Sequence, residues 1–388
     1  MPHVYGIADG AVSLVDAAAV LARNIAARRA GEVDSEARFP KESLDALAGQ
    51  GFLGLCLPRD LGGKGEGPRT FAAVVEEIAQ GCGSTAMVYV MHVAAAQAIA
   101  ASETLEDRDE VLRQMAAGRH LGTLALSERG SRSQFWAPVS ELAPSNGHFT
   151  VTAFKSWVTS ADHANSYVAS ARQPGAASSL ETTLFLVRQG SRGVKVAGRF
   201  DGLGLRGNDS APVSLEGLEV QGGDLLTAQG AGSKMTLEVI LPWFALGTAA
   251  MGNGLARAAV AATASHLAAA GFEHTGEKLR DLPTLRARLA QMSVRTEQSR
   301  ALLGYTLGEV ETPAETTPLY VLQARLAAIE AALDVTDLAM KACGGAAFSR
   351  HLPLERLFRD ARAGWVMAPT ADHLQDFVGK ALTGLPLF

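Results

Sequence analysis

From Ala11 to about Gly118 apolar residues recur at helical spacing, which predicts an all-helical segment. Pro40 and Thr70 mark helix starts: proline suits a first helical position, and the Thr70 hydroxyl would cap the run Phe71-Ala72-Ala73-Val74-Val75. Ser84 and Thr85 stand in the same way before 86–101, a run so continuously apolar that burial on most sides is expected. From His120 to about Val220 the pattern shortens to alternating and β-branched runs separated by glycine, proline, serine and asparagine. Strands are expected at 121–126, 148–155, 166–171, 182–187, 194–200 and 212–215, a spacing that suits a compact barrel or sandwich.

Helical periodicity returns after Gly230 in three long segments, 234–270, 282–309 and 318–342, and a shorter one at 371–382. Long helices with short connections read as a four-helix bundle, and Gly247, Gly252 and Gly254 in the first allow close helix approach. The expected architecture is α+β and multidomain: an N-terminal helical domain at 1–118, a central β-barrel at 119–225 and a C-terminal four-helix bundle at 226–388.

A chain of 388 residues, 47% hydrophobic, can bury a sizeable core in two or three domains. The net charge of -5 and the lack of long charge runs leave no basic footprint for nucleic acid. Asp9 and Asp16 break the opening segment, so it does not read as a signal peptide, and His92 and Gln97 interrupt 86–101, which is short for a membrane span. A cytoplasmic location without a membrane span is the expectation. Cys56, Cys82 and Cys343 are odd in number and lack metal-type spacing, so they read as thiols in a reducing compartment, and no metal site is expected.

Near the end of the chain come Cys343-Gly344-Gly345, then Leu354-Glu355-Arg356-Leu357-Phe358-Arg359-Asp360-Ala361-Arg362, then Met367-Ala368-Pro369-Thr370. This series resembles the carboxy-terminal signature of the acyl-CoA dehydrogenases: a glycine pair, an arginine-aspartate-alanine turn and a glutamate-glycine-threonine turn at the same spacings. The resemblance implies the helix, barrel and bundle architecture and a bound FAD, with FMN as the alternative. It also implies oxidation of a CH–CH bond in an acyl-CoA or related small molecule, an electron-transfer partner, and a homodimer or homotetramer. The family's glutamate is its catalytic base, and here Ala368 holds that place.

Two further runs carry the resemblance. Lys155-Ser156-Trp157-Val158-Thr159 is similar to the family's lysine-x-tryptophan-isoleucine-threonine strand, which implies that Trp157 packs on the flavin and Thr159 hydrogen-bonds to it. The run 125–134 resembles the family's flavin loop, so that Leu126 and Ser127 face the ring and Ser133 the phosphates; Arg129, Arg132 and Gln134 depart from it. Phe135 and Trp136 then read as lining a substrate pocket, or else as plugging the core. Gly344 and Gly345 resemble the pair that receives the adenosine half of a neighbouring subunit's cofactor, since absent side chains let a ligand approach the backbone. Read without the family, they end a helix. Thr370 joins the cofactor set by the same resemblance, while Lys341, Phe272 and Thr275 replace residues the family uses around the adenosine.

Removing a proton alpha to a thioester needs a base within hydrogen-bond reach. Some relatives supply it from the long bundle helix, at positions that here are Pro242 and Trp243. Glu238, one turn earlier, is the candidate replacement base, or else a solvated helix carboxylate. Leu241-Pro242-Trp243-Phe244 puts apolar bulk where the family receives CoA, and Trp243, Met367 and Ala368 are expected in the substrate pocket. Reduced-flavin monooxygenases of this fold place a histidine at the position of Met367. His92 is an isolated candidate for such a role, or a satisfied core residue. The readings are therefore a dehydrogenase, a monooxygenase fed by a flavin reductase, a non-catalytic subunit that completes a partner's flavin site, and a flavin-free structural protein.

Overall fold

The computed structural model describes residues 3–387. The chain opens with α1 (Val12–Leu21), which runs through a π-helical turn (Ala22–Ala26) into α2 (Ala27–Ser35), followed by α3 (Lys41–Gly49), α4 (Pro68–Gly81), α5 (Gly83–Ala100) and α6 (Arg108–Ala116). Pro68, not Thr70, starts α4: its fixed φ suits the first helical position, and the Thr70 hydroxyl donates to Glu66 Oε2 at 2.9 Å. Ser84 and Thr85 likewise lie inside α5 and do not cap it; Ser84 Oγ instead accepts the Gly207 N–H at 3.2 Å. The burial expected for this helix is found along nearly its whole length.

Seven strands follow: β1 (Gly122–Ala125), β2 (Ala143–Ser145), β3 (His148–Val158), β4 (Ser166–Arg172), β5 (Thr182–Arg188), β6 (Val194–Val196) and β7 (Ala211–Val220). They form two sheets, β1-β4-β5 and β2-β3-β7-β6, with β1 and β4 parallel and every other pair antiparallel. Val151, Ala153, Tyr167, Phe185, Val213 and Leu215 from both sheets share one apolar core. β2 is three residues long and escapes sequence reading. β7 extends beyond Leu215 because it pairs with β3 as far as Phe149↔Val220.

The last part holds α7 (Gly232–Met235), a π-helical turn (Thr236–Ile240), α8 (Leu241–Ala269), α9 (Pro283–Glu311), α10 (Thr317–Cys343), α11 (Gly345–Phe348), α12 (Leu354–Val366) and α13 (Ala371–Thr383). Helices α8, α9 and α10 pack on one another, and α12 and α13 close on α10. Small residues let α8 also meet α4 and α5: a Cβ on Gly254 would stand 2.5 Å from Glu76 O. Arg359-Asp360-Ala361 is not a turn but part of α12. Asp360 accepts the Leu205 N–H at 2.6 Å and Arg359 reaches Asp34 at 2.5 Å, so this stretch ties α12 to the segment before β7 and to α2.

By length and composition, three helices among the described residues are apolar enough to cross a membrane: Asp9–Ser35, Gly83–Ala100 and Gly232–Ala269. The apolar windows of the latter two are 89% and 72% buried inside the fold.

Candidate active site

The loop after β1 lies alongside β3. Ser127 O accepts the Ser156 N–H at 2.9 Å, and Phe154 O accepts the Arg129 N–H at 3.0 Å. Along β3, Val151, Ala153 and Lys155 point inward while Thr152 and Phe154 point out. The β3–β7 register then shifts between Lys155 and Val158, and inside this irregularity Trp157 takes φ 57°. A bulge re-aims a side chain, and here it turns the indole out of the alternation. Trp157 is 71% exposed, with Phe200 edge-on at 6.5 Å between centroids.

One residue before the bulge pair, Lys155 is fully buried and anchors the arrangement. Its Nζ donates to Glu128 Oε1 at 2.6 Å and to Ser170 O at 2.5 Å. Glu128 also accepts the N–H groups of Val139 and Ser140, each at 2.8 Å, and the Ser140 hydroxyl at 2.5 Å. Burial works against ionisation of Glu128, but the ammonium and the Ser140 donors outweigh it and hold the carboxyl below its ordinary value. The lysine of the tryptophan strand thus holds Glu128, which in turn ties the start of the loop bearing Ser133 to Val139 and Ser140 at its end.

Thr159 is buried, with its Oγ1 3.1 Å from Ser210 Oγ, and Leu126 is buried beside half-buried Ser127. Ser133 is half-buried in the loop. Gly344 ends α10 with φ 52° and ψ -129°, a conformation that glycine reaches without side-chain strain. Nothing lies within 4 Å of a Cβ placed on either Gly344 or Gly345, so both helix termination and an open surface are present. Thr370 caps α13, its hydroxyl accepting the His373 N–H at 3.3 Å.

The residues expected to line a substrate pocket gather in or against the main apolar core. Phe135 and Trp136 are buried, and Trp136 packs against α13, 5.8 Å from the His373 ring and 5.6 Å from that of Phe377. Trp243 packs on Phe71 at 5.4 Å, and Met367 and Ala368 are half-buried in the link between α12 and α13. Glu238 is not gathered in: its side chain is 65% exposed and stands 4.0 Å from Lys234, the geometry of a solvated helix carboxylate. His92 is a satisfied core residue. Its Nε2 lies 2.9 Å from Leu53 O, its Nδ1 accepts the Gly122 N–H at 3.1 Å, and burial pushes its pKa down to about 4.

Three profiles of the acyl-CoA dehydrogenases match in order, the N-terminal domain at 11–119, the middle domain at 123–218 and the C-terminal domain at 230–382. The chain belongs to the acyl-CoA dehydrogenase family. It is 27% identical over 344 residues to the mitochondrial short-chain specific acyl-CoA dehydrogenase of Bos taurus, spanning 88% of this chain and 82% of that protein. With the acryloyl-CoA reductase (NADH) of Anaerotignum propionicum it shares 25% identity over 347 residues, 88% of this chain and 86% of the other. The butyryl-CoA dehydrogenase of Megasphaera elsdenii has the same fold, with a TM-score of 0.92 at 21% identity over 97% of this chain and 99% of that one.

This acyl-CoA dehydrogenase relative is a flavin-dependent oxidoreductase, and FAD is its cofactor. The cradle suits a flat ring: an uncovered indole, a buried hydroxyl at Thr159, and the loop edge at Ser127 that hydrogen-bonds the neighbouring strand. The sequence reading passed over Arg325. It is fully buried in α10, with Cζ 4.7 Å from the Phe244 ring centroid and Nη2 donating to Met367 O at 3.1 Å. An arginine followed by Leu326-Ala327-Ala328-Ile329 is the available signal.

Proposed function

We propose that this chain holds FAD between the 126–133 loop and β3 and exchanges hydride with a CH–CH bond of an acyl thioester or related substrate. Trp157 carries the reading: a bulge turns its indole outward one residue after Ser156, whose N–H bonds to Ser127 O, and its own chain leaves the indole largely uncovered. When bound, FAD supplies the two-electron acceptor. Trp157 would wall the ring, Leu126 and Ser127 would line its pyrimidine edge, Thr159 would hydrogen-bond to it, and Ser133 would face the phosphates. Thr370, which caps α13, would join this set. Gly344 and Gly345 would serve a neighbouring copy's adenosine, which makes a homodimer or homotetramer the working assembly. Phe348, 83% exposed on the adjacent α11, gives that surface an apolar residue to bury. Electrons would leave to a separate electron-transfer protein.

Ala368 offers a methyl group where the family is expected to hold its base, so no carboxylate of the 367–370 link can take a proton from the substrate. Glu238 would have to leave Lys234 to replace it. With no carboxylate in place to take the α-proton, straight-chain acyl-CoA should perturb the flavin spectrum at once under anaerobic conditions and bleach it only slowly, the hydride passing to FAD and the proton to water. A colourless protein that takes up no FAD would overturn the reading. Fast bleaching would give the base role to Glu238, and Glu238→Gln should then abolish it with FAD still bound.

A further inference from the structure

Helix α12 ends at Val366, and Met367 leaves it with extended backbone while its N–H still bonds to Ala363 O at 3.0 Å. The last carbonyls of a helix have no partner within it and carry the negative end of its dipole, so a donor or a cation is stabilising there. The last turn of α12 holds no basic residue of its own. The cation comes from another helix: Arg325 of α10 donates from Nη2 to Met367 O at 3.1 Å. Thr370 then caps α13, so the link between the two helices is held at both ends.

The same guanidinium reaches a second element. Its Cζ lies 4.7 Å from the ring centroid of Phe244, the neighbour of Trp243 in the first turn of α8. Arg325 is 0% exposed, and its Nε and Nη1 have no hydrogen-bond partner. Asp360 accepts the Leu205 N–H at 2.6 Å, and no carboxylate raises the pKa of Arg325, which burial lowers to about 9. A gap of about 10 Å3 beside the guanidinium, lined by Thr248, Met251, Asp360 and Gly364 among others, admits one water and nothing larger. With no room for a ligand, a helix end and an aromatic face are what offset the desolvation of this cation.

We propose that Arg325 is a positioning residue of the active site, which caps α12 from α10 and thereby holds the 367–370 link against the first turn of α8. The proposal rests on the thioester reading above and deepens it: Met367 and Ala368 form one wall of the acyl pocket, Trp243 and Phe244 the other, and one buried cation sets the distance between them.

Hydrogen exchange followed by mass spectrometry on the FAD-loaded protein reads the link directly. In Arg325→Met, peptides covering 364–374 should exchange about tenfold faster, the worth of one hydrogen bond to a charged group, while peptides of α9 keep their wild-type rates. Arg325→Lys, which retains a cation and a donor without the planar fork, should recover part of that protection. The pocket is read by titrating butyryl-CoA against the flavin spectrum: Arg325→Met should weaken its binding about tenfold with FAD content unchanged. Unchanged exchange in Arg325→Met would overturn the cap, and exchange that rises equally in α9 would mark a general loss of stability and overturn it too. Faster exchange of 364–374 with unchanged thioester affinity would overturn the role in the pocket. If wild-type protein binds no thioester, the proposed function has failed and exchange alone decides, a rise confined to 364–374 upholding the cap. Should Arg325→Met not fold, a crystal structure of the wild type decides, and an Nη2 to Met367 O distance beyond about 3.5 Å would overturn the proposal.

Discussion

Lys155 in the β-domain and Arg325 in the helical bundle are both fully buried cations, and the fold treats them in opposite ways. Lys155 meets a carboxylate and a carbonyl within 2.6 Å, and the carboxylate is itself satisfied by Val139 and Ser140. Arg325 has one carbonyl, one aromatic face and two idle nitrogens. A closed network of that kind fixes geometry, whereas a partly satisfied one leaves buried polarity uncompensated. The difference separates a residue that anchors the site from one that the bundle leaves only partly satisfied.

The largest effect should come from breaking the closed network. Lys155→Met leaves Glu128 as a buried charge without its counterion and should cost about 3–5 kcal/mol of stability, measured by urea unfolding. Flavin occupancy should fall with it, because the loop bearing Ser127 and Ser133 loses its clamp. A loss under 1 kcal/mol would mean the pair is not the anchor described.

Acid sharpens the contrast next. Burial holds His92 and His120 neutral, each down to about 4 against an ordinary 6.5. Their folded values are depressed, so the unfolded chain binds more protons between about 6.5 and 4, and stability falls as pH drops through that window. For His92 the loss is on the order of 3 kcal/mol. Melting temperature followed from pH 7 to pH 4 should drop less steeply in His92→Gln, and parallel slopes would remove His92 as a cause.

Arg325→Met should do far less than Lys155→Met. Removing a cation that lacks an anion relieves its desolvation, so stability in the absence of ligand should stay within about 1 kcal/mol of wild type or rise. A loss equal to that of Lys155→Met would show a structural role for Arg325 and erase the contrast. Smallest of all on stability is Trp157→Ala, within about 0.5 kcal/mol because the side chain is largely exposed. Its signature is functional: FAD content after gel filtration should fall while the unfolding curve stays in place.

Much of the fold was written in local pattern. The apolar period of 3.6 in the outer thirds and the short β-branched runs between them gave the helix, strand, helix order, and the runs at 125–134 and 155–159 pointed to the flavin cradle. Cap positions were misread where Pro68 or Gly83 starts the helix instead of a hydroxyl residue, because capping depends on where the chain enters and not on residue type alone. The turn around Arg359 came from the family signature that the run resembles, whereas Leu354, Leu357 and Ala361 carry the helical period of α12.

The sequence by itself determined which residues are available: a tryptophan strand, a serine loop, an alanine at 368 and no obvious base. Tertiary structure alone decided how they are used. Glu238 and Arg325 are both single charges within apolar stretches of helix, yet one stands in water beside Lys234 and the other is enclosed between α8, α10 and α12. Helical period says which face a residue occupies, but which face is covered depends on helices far away in sequence, and the cost of a buried charge is set by that cover.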